Sequence, residues 1–164
     1  MAVTVSPPVA GRMTVRKIGD YKLHVAAAKS YLETAPDIKT IADLRDHPIV
    51  GCIPDMIFDK ELDYLEPLGL RRVQLASNSI SVQMNLLRQG AGLGIVHDFA
   101  LPFAPELRRI LTEHLSLTRS FFLIRSTDDR HNRRLNQFAQ VLVSGLRVEI
   151  QRLEALAEAP GGKF

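Results

Sequence analysis

The stretch Ser77–Phe99, SNSISVQMNLLRQGAGLGIVHDF, leaves the chain little freedom, because a polar turn, a helix, a glycine stop and a buried strand follow one another without a spacer. Ser77, Asn78 and Ser79 can each cap a helix by accepting a hydrogen bond from its first free N–H groups. Ile80, Met84 and Leu87 then fall at i, i+4 and i+7 and give that helix an apolar face. Gly90 stands where a helix ends in the left-handed conformation, and Leu93, Gly94, Ile95 and Val96 form an apolar run of strand length. Helix and strand are therefore forced to be neighbours. The polar turn comes to lie at the rim of a sheet, where helix N-termini present free N–H groups and α/β proteins hold ligands.

The remaining segments read as strands alternating with short helices. Ala2–Val5, Met13–Ile18 and Tyr21–Ala27 are β-prone, the last two separated by Gly19 and Asp20 as a tight turn. In Tyr21–Ala27, Leu23 and Val25 alternate with Lys22 and His24, which predicts one buried and one solvated face. Lys29–Glu33 opens a short helix, and Thr40 precedes a helical turn with Asp43 at the capping-box position. Ile49–Ile53 is a buried strand, Phe58–Leu65 a short helix and Arg72–Ala76 the strand that feeds Ser77. Ser120–Arg125 is a further strand with apolar residues in a row. From about Arg130 to Ala157, Leu135, Phe138, Leu142, Leu146, Ile150 and Leu153 recur at helical spacing, with Gly145 marking a bend or close packing, before a loose tail at Pro160, Gly161 and Gly162. This order predicts an α/β class with a largely parallel sheet. The first strand has no helix before it, and the last helix shows an apolar face that few early elements cover. Either an oligomer buries that face or part of a domain lies outside this chain.

Several function classes are disfavoured. The formal charge of +3 comes from 21 basic and 18 acidic residues spread along the chain, including clusters at Arg71 and Arg72, at Arg108 and Arg109, and at Arg130, Arg133 and Arg134. That is not the dense basic stripe of a nucleic-acid reader. Cys52 is the sole cysteine, so there is neither an intrachain disulfide nor a cysteine-based zinc site, and no cofactor is implied. A reducing compartment fits. MAVTVSPPVAGR lacks the regions of a secretory signal and no run approaches a membrane span, so the expected location is the cytoplasm. His24, His47, His97, His114 and His131 fit no HExxH spacing, and GxSxG and Walker patterns are missing. Asp128 and Asp129 are sequence neighbours that do not face each other on a helix, so capping suits them better than catalysis. The chain reads as a non-enzyme.

Four ordered pieces, VRKIGDYKLHVAAAKSYL at Val15–Leu32, DLRDHPIVGCIPDMIFDKELDYL at Asp43–Leu65, LASNSISVQMNLLRQGAGLGIVHDFAL at Leu75–Leu101 and LTRSFFLIRSTDDRHNRRLNQFAQVLVSGL at Leu117–Leu146, resemble the effector-binding region of LysR-type transcriptional regulators. The resemblance implies a type 2 periplasmic-binding-protein-like architecture with one subdomain complete and the other partial. Residues 1–28 would hold part of the first subdomain and the crossover strand. Residues 29–116 would form the second subdomain, and residues 117–164 the return strand, the terminal helix of the first subdomain and the tail. Relatives carry an N-terminal winged helix-turn-helix and two further strand–helix pairs, so by the resemblance this chain starts at the third strand of the first subdomain. DNA contact would then belong to that other module. The implied function is sensing of a small-molecule effector in the cleft between subdomains, in a homo-oligomer and without membrane contact. A solute-binding protein of the same architecture is the alternative, disfavoured by the missing signal; an α/β enzyme is a remote third.

The candidate effector-binding residues follow. In the turn from Ser77 to Ile80, Ser77, Asn78 and Ser79 would donate hydrogen bonds, with backbone N–H groups, to a carboxylate or similar polar group; the other reading is helix capping. Gly51, Cys52, Ile53 and Pro54 end a predicted strand and by resemblance face the same cleft, with Cys52 either a small buried side chain or a reactive thiol. His97, Asp98 and Phe99 stand where relatives place a leucine or cysteine and a proline. His97 beside an anionic ligand would tune binding with pH, and Asp98 would accept from an amine or hydroxyl. The alternative is a turn capped by Asp98 and a surface His97.

Overall fold

A computed structural model describes residues 1–8, 11–57, 59–70 and 72–158. Its spine is one strand where two were expected. Met13–Ala28 (β2) runs unbroken through Gly19 and Asp20 because almost its whole length has a partner. Met13 to Leu23 lie antiparallel to Leu117–Ser126 (β7), from the Met13/Ser126 pair to the Leu23/Leu117 pair. A turn at Gly19 would have forfeited that ladder. The strand instead absorbs the irregularity as a register shift between Lys17 and Gly19, in the manner of a β-bulge. Asp20 faces Ser120, accepts from its hydroxyl at 2.5 Å and is bridged by Lys17 at 2.6 Å.

Past Leu23 the same strand changes partners, pairing antiparallel with Leu93–His97 (β5) and Leu107–Arg109 (β6). Ala2–Thr4 (β1) lies on the far edge of β7, and Ile49–Gly51 (β3) and Leu75–Ala76 (β4) extend the sheet beyond β5. The order is β1-β7-β2-β5-β3-β4, with β6 also on β2. The expectation of a largely parallel sheet is therefore corrected. Among the described residues, parallel pairing is confined to β3 with β4 and with β5. Strand–helix alternation signals parallel pairing only where a crossover carries the chain back, and here the long β2 takes each of its partners in the opposite direction.

Side-chain alternation along β2 explains why the sheet is covered on both faces at its β5 end. Val25 and Ala27 pack with Leu44, Ile49, Leu93 and Leu115, whereas Ala26 and Ala28 pack with Leu87, Val96 and Leu107. His24 was expected on a solvated face but is only 5% exposed.

Among the described residues, three α-helices complete the fold: Lys29–Leu32 (α1), Ile80–Arg88 (α2) and Arg133–Glu158 (α3). The buried face of α3 carries Ala139, Val143, Ile150 and Leu153. Phe138, on the apolar face expected to lack cover, is 58% exposed, and with Val141 at 70% and Val148 it forms an outward apolar stripe. A side chain at Gly145 would meet nothing within 4 Å among the described residues, so that glycine serves no close packing against them.

Short 3-10 turns replace several expected elements. Asp43 does reach back to accept from the N–H groups of Lys39 and Thr40, as the capping-box reading requires. Phe58–Leu65 contains a turn at Lys60–Leu62 followed by another at Glu66–Leu68, and Arg72–Ala76 contracts to β4. Phe58, Arg71 and the tail at Pro160, Gly161 and Gly162 lie outside the described residues. No described helix is long and apolar enough to cross a membrane.

Candidate functional site

The parallel strands β3 and β4 end side by side. Ser77 N–H donates to the Gly51 carbonyl at 2.9 Å, which brings the turn before α2 against the end of β3. Beside these ends lies a cavity of about 300 Å³, at the small end of the roughly 300–1,000 Å³ range of ligand pockets. Gly51, Cys52 and Pro54 line it, together with Tyr64 and Leu65, Gln83 of α2 and Ile95 of β5. Gly51 permits this closure, since a Cβ there would stand 2.8 Å from Leu65 Cδ1.

The predicted residues separate into three groups. Gly51, Cys52 and Pro54 line the cavity. Ile53 does not, but its N–H donates to Asn78 Oδ1 at 3.1 Å and so ties the two loops together. Ser77 is engaged at three atoms: its N–H as above, its carbonyl accepting from Gln83 Nε2 at 2.5 Å and its hydroxyl oxygen accepting from Ser79 N–H at 3.2 Å. Ser79 occupies the N-cap of α2, yet its side chain makes no capping bond. Ile80 is exposed and shares a recess of about 10 Å³ with Met84 and His97.

His97, Asp98 and Phe99 belong to the junction between β5 and the rest of the sheet. The His97 ring lies 5.4 Å from Tyr21, 5.0 Å from Phe99 and edge-on to Tyr64 at 6.0 Å. Burial among these rings pushes its pKa down to about 4, against the opposing pull of Asp98. The imidazole is thus neutral at pH 7. Phe99 meets Tyr21 edge-to-face at 5.7 Å.

Asp98 has no exposed surface. Its two oxygens lie 2.8 and 2.9 Å from His24 Nδ1, which must carry the proton because a carboxylate can only accept. Arg109 donates to the same carboxylate at 2.9 Å and, through its other amino group, to the Ala157 carbonyl at 2.9 Å. The carboxylate expected to meet a ligand instead joins β2, β6 and the last turn of α3. Lys22 reinforces the joint, its N–H donating to Glu154 at 2.6 Å and its ammonium pairing with Glu158 at 2.9 Å.

The other lining residues were not among the candidates, and Gln83 and Tyr64 are the most informative of them. Gln83 lies four residues before Leu87, on one helix face with it, and both are buried; that spacing was the available signal. Tyr64 lies in Phe58–Leu65, where the sequence predicts only a short helix, and nothing local indicates that it would be drawn against His97 of β5. Its ring stands 5.9 Å from the Arg119 guanidinium, which also pairs with Glu61 at 3.0 Å. No cluster of three His, Cys, Asp or Glu side chains among the described residues could hold a metal ion.

Comparison with known proteins bears on this geometry. No curated protein sequence matches the chain. The regulatory domain of CrgA, a LysR-type transcriptional regulator from Neisseria meningitidis, has a similar structure with a TM-score of 0.72 at 19% identity, over 88% of this chain and 74% of that one. The regulatory domain of an AphB variant from Vibrio vulnificus gives 0.67 at 19% identity, over 87% and 76%. OxyR from Corynebacterium glutamicum, as a cysteine mutant, gives 0.66 at 20% identity over 94% of this chain, which spans 49% of the OxyR chain. These likenesses establish the type 2 periplasmic-binding-protein-like fold. The family model described as the LysR substrate binding domain matches residues 1–147, so the chain belongs to the LysR substrate binding domain family.

Proposed function

We propose that this chain is the ligand-responsive part of a LysR-type regulator and that a small-molecule effector occupies the cavity beside Gly51, Cys52, Pro54 and Gln83. Residues 29–116 would act as one subdomain and residues 1–28 with 117–158 as part of the other. An occupant that favours one relation of the two over the other would then shift the population of states and the geometry of attached DNA-binding modules. The observation that supports this reading is the fastening of the segment Pro54–Glu66, which flanks the cavity, to residues of the other subdomain. Arg119 on β7 holds Glu61 at 3.0 Å, and the Ser6 hydroxyl donates to Asp59. A molecule entering the cavity therefore presses on a segment that both subdomains share.

The test is a double substitution, Asn78→Ala with Ser79→Ala, at the turn that does not itself line the cavity but holds the Ile53 N–H between the lining residues Cys52 and Pro54. Ser79 makes no capping bond and Asn78 would lose one partly exposed hydrogen bond, so stability should fall by only about 1 kcal/mol. Binding of any compound that raises the thermal midpoint of the unmodified chain should fall by about tenfold or more. If a broad metabolite panel yields no stabilising compound, or if stability and binding fall equally, effector sensing through this wall is refuted.

A further inference from the structure

We infer that the cavity selects a molecule with an apolar body and a hydroxyl or amine donor, and that it discriminates against carboxylates, with Gln83 reading the donor. This deepens, and rests on, the effector reading above. It departs from the carboxylate expected from the sequence, and three observations carry it.

The first is charge. Both charged side chains among the described lining residues, Asp63 and Glu66, are acidic. Arg119, the cation packed near Tyr64, is already taken up by the carbonyl and the carboxylate of Glu61. Among the described residues, a carboxylate entering here would lose water and meet like charge without a free cation in return, which is the costly arrangement for an anion.

The second is Gln83. It is 8% exposed and lines the cavity. Its carboxamide orientation follows from its partners: the Ser77 carbonyl can only accept, so the atom 2.5 Å from it must be the nitrogen. That nitrogen also reaches Cys52 Sγ at 3.4 Å. The amide therefore spends its donors on the protein, and Oε1 accepts no hydrogen bond among the described residues. That oxygen is not one of the buried unpaired polar atoms, so a ligand can reach it, and as an acceptor it welcomes a donor and repels a carboxylate oxygen.

The third is the rest of the lining. Val50, Ile57, Leu62, Leu70, Val73 and Ile95 supply the apolar contact that holds a ligand body while one polar group fixes its direction.

The experiment uses the whole chain and three probes of one skeleton: benzyl alcohol, benzylamine and benzoate. Each is titrated by calorimetry while the backbone amides of Gly51, Cys52 and Gln83 are followed by NMR. Benzyl alcohol and benzylamine should perturb those amides and bind at least about tenfold more tightly than benzoate, the discrimination of roughly one charge-matched hydrogen bond. Gln83→Leu should weaken benzyl alcohol by about tenfold while leaving toluene unaffected. Because that variant also loses the bond to Ser77, Val73→Phe provides an independent check: it fills the cavity from another wall, leaves Gln83 intact and should abolish binding of all three probes. Benzoate binding as tightly as the alcohol at the same amides would overturn the class assignment and leave the effector site standing. Silence of those amides toward every probe would overturn both. Retained alcohol binding by Val73→Phe would show a different site and likewise overturn the inference.

Discussion

Asp98→Asn is the substitution for which the structure makes the sharpest demand. Asparagine keeps the shape of a residue that has no exposed surface but removes the charge shared by His24 and Arg109. Two donors, His24 Nδ1–H and the Arg109 guanidinium, must then compete for one amide oxygen while the amide nitrogen faces a donor. Removing one partner of a buried ion pair costs about 3–5 kcal/mol. The Arg109 side chain is 21% exposed, so water takes over part of its charge and the lower end, about 3 kcal/mol, applies. For a chain of this length each kcal/mol moves the thermal midpoint by about 2–4 °C, giving a drop of roughly 6–12 °C. Equilibrium urea unfolding and calorimetry measure the loss, and an Arg109→Met double-mutant cycle measures the coupling. Amide exchange supplies a local readout: Arg109 holds the Ala157 carbonyl, so the last turn of α3 should lose protection before its middle does. A loss below about 1 kcal/mol, or a coupling within about 0.5 kcal/mol of additivity, would refute the claim that this carboxylate is a joint between β2, β6 and α3.

Three further outcomes are expected. The folded-state pKa of His97 lies near 4, below its ordinary 6.5, so the unfolded chain takes up that proton first. Its contribution, up to about 3 kcal/mol, is present above pH 6.5 and is lost as the pH falls toward 4; urea titrations of His97→Leu should show a flatter acid limb, and an unchanged limb would contradict this. Gly92→Ala places a Cβ 2.2 Å from the Pro48 carbonyl oxygen at a φ of +143°, and should cost more than about 2 kcal/mol; an unchanged thermal midpoint would show that the backbone there relaxes freely. The stripe of Phe138, Val141 and Val148 should drive self-association, and Val141→Glu should reverse it in light scattering; a monomeric parent chain would sink that expectation.

Some features could be read from neighbours a few residues apart. Gly90 does adopt the left-handed conformation, with φ 78°, because the helix before it must end there whatever surrounds it. The 3.6-residue period placed α3 to within a few residues, and the apolar runs located β5 and β7. Period alone did not say which part of the apolar face of α3 finds cover within the chain. Phe138 matches the spacing of Leu142 and Leu146 yet faces outward, because β2 and β7 offer α3 a surface that its small residues Ala139 and Val143 approach more closely.

The site divides in the same way. The end of β3 and the turn at Ser77 were legible because strand ends and polar turns leave local marks. The role of Asp98 was not, since its partner His24 lies 74 residues away and no pattern in either neighbourhood refers to the other. The continuity of β2 through Gly19 and Asp20 has the same origin: a Gly-Asp pair favours a turn in isolation, and only the ladder to β7, about a hundred residues later, outweighs it. By itself, then, the sequence determined most of the elements and their order, which rest on local propensity and hydrophobic period, and it pointed to the family through the resemblance of four ordered pieces. Tertiary structure alone decided which polar groups are already spent on one another and which, like Gln83 Oε1, still face open space, because hydrogen-bond partners are chosen by proximity in the fold and not along the chain.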